Sequence, residues 1–209
     1  MILDTDLFAS LPIAKVQWDL VEAATDTQTR GGETIMVGFG QPLWRCVVTL
    51  KTLPPRQIAR VEAIVADLTL PGRFVLAHDP RHCGPLADPG GVILGGAAPV
   101  IHTLNADNRR MRVSGLPAGY ALHAGDYIGA QYGSDPVRYA MHRLVSDAVA
   151  SGGGLTGLFA VTPGIRPGLA VGAPVTLVRP QIKCVLRKRM AAARALVEGA
   201  ELTFTQTLR

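Results

Sequence analysis

From residue 14 to residue 20 the chain alternates strictly between apolar and polar positions. Ala14, Val16, Trp18 and Leu20 share one parity, and Lys15, Gln17 and Asp19 the other. A period of two marks a strand with one buried face. Residues 43–51 repeat it, setting Trp44, Cys46, Val48 and Leu50 toward a core and Arg45, Thr49 and Lys51 away from it. Between these two, after the turn signal Arg30-Gly31-Gly32, residues 33–39 (ETIMVGF) predict a further strand. The period then lengthens. Pro54-Pro55 suits the first turn of a helix, where a missing N–H costs nothing, and Ile58, Val61, Ile64 or Val65, and Leu68 fall along one stripe before Pro71-Gly72 ends it. Residues 73–77 (RFVLA) resume as a strand. The order β-β-β-α-β with short links predicts a sheet with one packed helix.

Between His78 and Ala98 the chain is broken by Pro80, Gly84, Pro85, Pro89, Gly90 and Gly91 and then by Gly95 and Gly96, the signature of a boundary. Short strands are predicted beyond it at 98–104, 110–114, 126–132, 137–145, 155–161 and 174–179, with Gly-rich turns such as Ser151-Gly-Gly-Gly154 between them. That spacing suits a small barrel or sandwich. Strands at 182–188 and 200–208 then complete the N-terminal sheet, with 200–208 expected at an outer position. The fold class expected is mainly β, or β-rich α+β. A discontinuous sheet domain spans 1–90 plus 181–209 and has the character of a β-sandwich or split barrel with one helix. An inserted small β-barrel-like domain spans 91–180.

Composition sharpens this in three ways. Only 18% of residues are charged against 48% hydrophobic, where about a quarter charged is usual, so the surface expects partners. No apolar run approaches the roughly 18 residues of a membrane helix, and the N-terminus carries no signal-peptide pattern, so a soluble protein kept in the cytoplasm is expected. Cys46, Cys83 and Cys184 are an odd set without CxxC spacing, which reads as free thiols rather than a disulfide framework or thiolate metal site. The formal charge is +5, and seven basic residues lie between Arg179 and Arg209 against two acids, Glu198 and Glu201. Lys183, Arg187, Lys188, Arg189 and Arg194 could meet nucleic acid phosphates. With no aromatic residue among them, a solvated or inter-subunit face is the better reading.

Candidate chemistry is thin. His78, Asp79, His82 and Cys83 form the densest set of metal-ligand types, yet Pro80 denies the helix on which a His-x-x-x-His pair would share a face, and a surface turn is the alternative. Gly38-Phe39-Gly40 and Gly152-Gly153-Gly154 lack the following Lys-Ser/Thr and helix of a phosphate loop. His102, His123 and His142 stand singly, with no nucleophile signature nearby. Asp126 follows a glycine where a strand begins, a place at which an Asp hydrogen-bonds turn N–H groups more often than it catalyses. No catalytic, metal or cofactor residue is therefore assigned, and no enzyme is expected. A hydrolase with its site at His78–Cys83 is one rival reading. The other is a receptor- or carbohydrate-binding module that uses the middle domain, against which stands its small number of aromatics, Tyr120, Tyr127, Tyr132, Tyr139 and Phe159.

The order of several segments resembles the distal tail proteins of siphophages and phage-like gene transfer agents. They are Leu11-Pro12 before an alternating strand, Gln41-Pro42-Leu43-Trp44 leading into a TLPP helix start, and Leu68 to Phe74 followed by VLAHDP. Leu122-His-Ala-Gly-Asp-Tyr-Ile128 and the stretch from Val137 to Pro180 continue the likeness, which covers most of the chain. The resemblance implies a tube-protein-like sheet domain that forms a ring, commonly a hexamer, joining the tail tube to the hub or baseplate and carrying an outward β domain. Its partners would be copies of itself, the tube protein and the hub protein. DNA would be only passing cargo. Its place would be the virion tail, assembled in the host cytoplasm. Two departures touch surface contacts rather than fold: Thr162-Pro163-Gly164-Ile165-Arg166 stands where the family has a proline followed by a Leu-Arg pair, and the basic tail is denser.

Overall fold

The computed structural model describes residues 2–4, 7–188 and 201–208. Strand accounts for 43% of the chain and helix for 8%, so the protein is mainly β, as its periodicity predicts. It folds as two compact units. One comprises residues 1–11, 71–184 and 207–209, and the other residues 12–70 and 185–206.

The second unit holds β2 (Ile13–Val21), β3 (Ala24–Gln28), β4 (Thr34–Gly38), β5 (Leu43–Leu50), α2 (Pro55–Leu68), the end of β15 (Ile182–Lys188) and β16 (Glu201–Gln206). The first holds β1 (Ile2–Asp4), α1 (Leu7–Ser10), β6 (Arg73–Ala77) and the start of β15. Its remaining strands are β7 (Val100–Leu104), β8 (Arg110–Ser114), β9 (Ala121–Leu122), β10 (Tyr127–Tyr132), β11 (Arg138–Leu144), β12 (Ala148–Val149), β13 (Phe159–Thr162) and β14 (Val175–Thr176), of which β9 and β12 pair only with each other.

In the second unit β5 is flanked by β2 and β16, both antiparallel to it, and β16 lies between β5 and β15. The predicted alternation holds on β5, where Trp44, Cys46, Val48 and Leu50 are all buried. On β2, Val16 and Trp18 are buried, and the register slips between Ile13 and Lys15, which leaves Ala14 exposed. Trp18 and Trp44 meet edge to face at 6.3 Å. α2 begins with a proline at N1, as expected, and buries Ile58, Val61, Val65 and Leu68. β16 is not an outer strand. Its register with β5 runs from Glu201↔Thr49 to Thr205↔Arg45, and β2 takes the edge instead.

In the first unit β6 pairs with β1 in parallel and with β15 in antiparallel fashion. Residues 100–176 build a six-stranded sheet in the order β14-β10-β11-β13-β8-β7. Its two ends meet. The Ile101 and Gly172 amides bond to the Ala173 and Ile101 carbonyls, the Val175 amide bonds to Pro99, and Val100 bridges to Pro174. This is the small barrel that the spacing of short strands predicts. Its interior is filled by Ile101, Met111, Val113, Leu122, Ile128 and Phe159, each at most 1% exposed. A filled barrel is a core rather than a channel.

The junctions between units fall at 11/12, 70/71, 184/185 and 206/207, whereas the sequence reading puts them near 90 and 180. The reason lies in the Gly/Pro-rich stretch after β6. It reads as a linker but is fastened to the barrel by buried carboxylates. Asp126 accepts the Leu86 amide at 2.8 Å, and Asp88 accepts the Tyr120 hydroxyl at 3.2 Å.

Candidate assembly surface and the titratable clusters

The residues that carry the most chemistry in the sequence are consumed by structure. Asp79 is 2% exposed and forms a two-pronged ion pair with Arg81, from Nε at 3.0 Å and Nη2 at 2.8 Å. The Asp79 carbonyl accepts the His82 amide, closing a turn. His78 lies against the Phe8 ring at 6.0 Å, and the His82 ring stands edge-on to Tyr127 at 5.4 Å. Burial and the Arg179 charge hold His78 below the usual imidazole value, with Asp79 pulling the other way. The Cys83 thiol donates to the Pro80 carbonyl at 3.5 Å. Among the described residues no group of three or more His, Cys, Asp or Glu side chains is placed to hold a metal ion.

Asp126 does what an Asp after a turn glycine is expected to do. Besides the Leu86 amide, its carboxylate takes the His123 amide at 2.7 Å, locking the Ala124-Gly125 turn. Asp88, invisible as a special residue in the sequence, works likewise on the loop at 86–94. Burial alone would raise its pKa, but the amides of Leu94, Ile93 and Val92 and the Tyr120 hydroxyl outweigh burial and lower it. The loop so fixed carries exposed Leu86, Val92 and Ile93. Lys183 is 1% exposed on β15 with its ammonium 5.2 Å from the Phe74 ring centre, so it is no phosphate contact. Arg187 is exposed, while Arg189 and Arg194 lie outside the described residues. The three cysteines form no disulfide, and Cys46 and Cys184 are buried while Cys83 is half-buried.

His142 is the one of the three solitary histidines that matters physically. It sits on β11 opposite Ile128 and is 0% exposed. Its Nδ1 is 2.8 Å from the Pro163 carbonyl oxygen. A carbonyl can only accept, so Nδ1 carries the proton, and the bare Nε2 has no hydrogen-bond partner. Burial, and secondarily the Arg166 charge, push the imidazole down to about 4 against the pull of the Pro163 bond. His123 approaches Asp147 at 3.9 Å, and His102 bonds to Thr103, both on the surface.

The few aromatics of the middle domain are mostly interior: Tyr120, Tyr127, Tyr132 and Phe159 are buried, and Tyr139 is half-buried. A carbohydrate platform needs exposed rings, and these residues instead fill and rim the barrel.

The feature the sequence pattern only half shows is a β-ribbon in the second unit. β3 and β4 pair from Ala24↔Gly38 to Gln28↔Thr34, and all but Ala24 of their residues are exposed. Exposure reaches 66% at Met36, and Phe39, whose amide continues the ladder to the Ala23 carbonyl at 2.6 Å, is 74% exposed. Ile35, Val37 and Phe39 share one parity and therefore one face. At the foot of the ribbon lies a recess of about 300 Å³ lined by Val21, Glu22, Ala23, Gln41, Leu43 and Arg45. Residues 33–39 read as a strand in the sequence, but its partner at 24–28 (ATDTQ) carries no apolar alternation and was not predicted.

No family model matches the chain, and no curated protein matches it. No described helix is long and apolar enough to cross a membrane.

Proposed function

We propose that the chain is an architectural subunit of a bacteriophage-type tail tip, assembling into a closed ring that joins tail tube to hub or baseplate. The reading is carried by the exposed ribbon of β3 and β4. An isolated two-stranded ribbon is marginal in water, and one that leaves Ile35, Met36, Val37 and Phe39 to solvent has the composition of a contact made with another chain. Cyclic closure covers such a surface on every copy without leaving a free one. The likeness in segment order to distal tail proteins supplies the tail context and the expectation of a hexamer. The low proportion of charged residues agrees with it.

Negative-stain electron microscopy of the purified chain tests the reading. Uniform rings with a central opening are expected. Fields of single small particles at every concentration would overturn it.

A further inference from the structure

The recess adjoins the foot of the ribbon, and the ribbon's turn lies at its far end. Four residue steps separate the foot at Ala24↔Gly38 from the last pair, Gln28↔Thr34, a span on the order of 13 Å at about 3.3 Å per residue. The turn beyond is closed by the Gly32 amide on the Thr29 carbonyl and the Thr29 amide on Glu33. Since the ribbon is tied down at Ala23–Phe39, its far end cannot fold back into its own recess. β2, which runs into the recess at Val21, is the last strand of its sheet, so among the described residues its outer edge is unpaired.

From this arrangement we infer that the ribbon of one copy docks on the recess and β2 edge of the next copy, a head-to-tail contact repeated around the ring. The inference rests on the ring reading and names its surface. The occupant is a second copy of this chain because the two surfaces match each other in kind. The ribbon offers an apolar face, Ile35 and Val37, to a recess whose walls include Val21, Ala23 and Leu43. Its turn carries Arg30, and the recess carries the acid Glu22, while Arg45 in the recess is already paired with Asp19 at 3.4 Å. A strand presented to an open sheet edge also supplies the backbone pairing that edge lacks. Because donor and acceptor surfaces differ, the contact is heterologous and propagates until rotation closes it.

The test mixes two variants of the full chain and reads assembly mass by mass photometry. Ile35→Asp with Val37→Asp disables the ribbon, and Val21→Asp disables the recess; all three positions are more than a third exposed, so the fold tolerates them. Each variant alone should be monomeric, with association weakened at least 100-fold. An equimolar mixture holds one intact ribbon and one intact recess per pair and should stop at dimers. Met36→Asp, on the opposite face of the ribbon, should still assemble. If the ribbon variant assembles like the wild type, or the mixture rebuilds full assemblies, or Met36→Asp is as damaging as the ribbon variant, the inference fails while the ring stands. If the wild type itself stays monomeric, the ring reading has failed and the inference with it. Should an aspartate variant unfold, oxidising an assembly that carries Ile35→Cys and Val21→Cys gives the same answer: a ladder of linked chains supports the contact, and unlinked chains exclude it.

Discussion

Acidifying the protein should destabilise the barrel unit selectively, and His142 is the cause. The imidazole is fully buried, protonated only at Nδ1 toward Pro163, and held down to about 4, whereas an exposed histidine in the unfolded chain titrates near 6.5. Above pH 6.5 both states are neutral there and stability is unaffected. Between 6.5 and 4 the unfolded chain binds a proton that the folded chain refuses, so stability falls with a slope of about 1.4 kcal/mol per pH unit. Over that window the loss reaches about 3 kcal/mol, a large part of a domain's total. Half-buried His78 adds in the same direction, and so a variant is needed to isolate the effect. His142→Asn keeps a donor near the Pro163 carbonyl but cannot titrate. Urea unfolding at pH 7, 6, 5 and 4.5 is the assay, and the chain provides separate reporters. All four tyrosines lie in the barrel unit and both tryptophans, Trp18 and Trp44, in the other. The tyrosine near-ultraviolet signal of the wild type should shift to lower urea as pH falls, while that of His142→Asn should shift much less. Equal slopes in wild type and variant would refute the assignment. Below pH 4 a second loss should begin from Asp107, lowered to about 2 by the Arg109 amide and Arg110, because such a carboxylate stabilises the fold only while ionised.

Two further outcomes follow from the hydrogen-bond networks. Asp126→Ala strands the amides of Leu86 and His123, and should destabilise the barrel unit by about 1–3 kcal/mol and speed amide exchange at Leu86, leaving tryptophan fluorescence unchanged. Thr205→Pro, placed in an internal strand, should abolish the native tryptophan signal of the sheet unit rather than yield a folded monomer; a folded monomer would show that β16 is dispensable to that sheet.

What the sequence made legible follows from where periodicity is imposed. Trp44, Cys46, Val48 and Leu50 alternate because one face of β5 is buried, and the α2 stripe from Ile58 to Leu68 exists for the same reason, so both were readable from the pattern. β3 was not, because a ribbon exposed on both faces places no demand on side-chain polarity, and Thr25, Asp26 and Thr27 look like loop. The division into units differs from the boundary read in the sequence because glycine and proline between residues 80 and 96 signal a turn but not what fastens it. Asp88 and Asp126 do the fastening through contacts distant in sequence. Strand order is equally silent in a single sequence: the alternation of β16 reads alike whether the strand forms an edge or, as here, lies between two neighbours. Of the candidate assembly surface, the sequence showed the strand at 33–39 but neither its partner nor its exposure.

Native mass spectrometry of the wild-type chain across a tenfold dilution tests the central claim most directly. Closed assembly requires a single species at an integer multiple of 22.1 kDa, six for a hexamer, unchanged by dilution until subunits appear without intermediates. A spectrum of monomer alone, or an open series of sizes that grows with concentration, would contradict it.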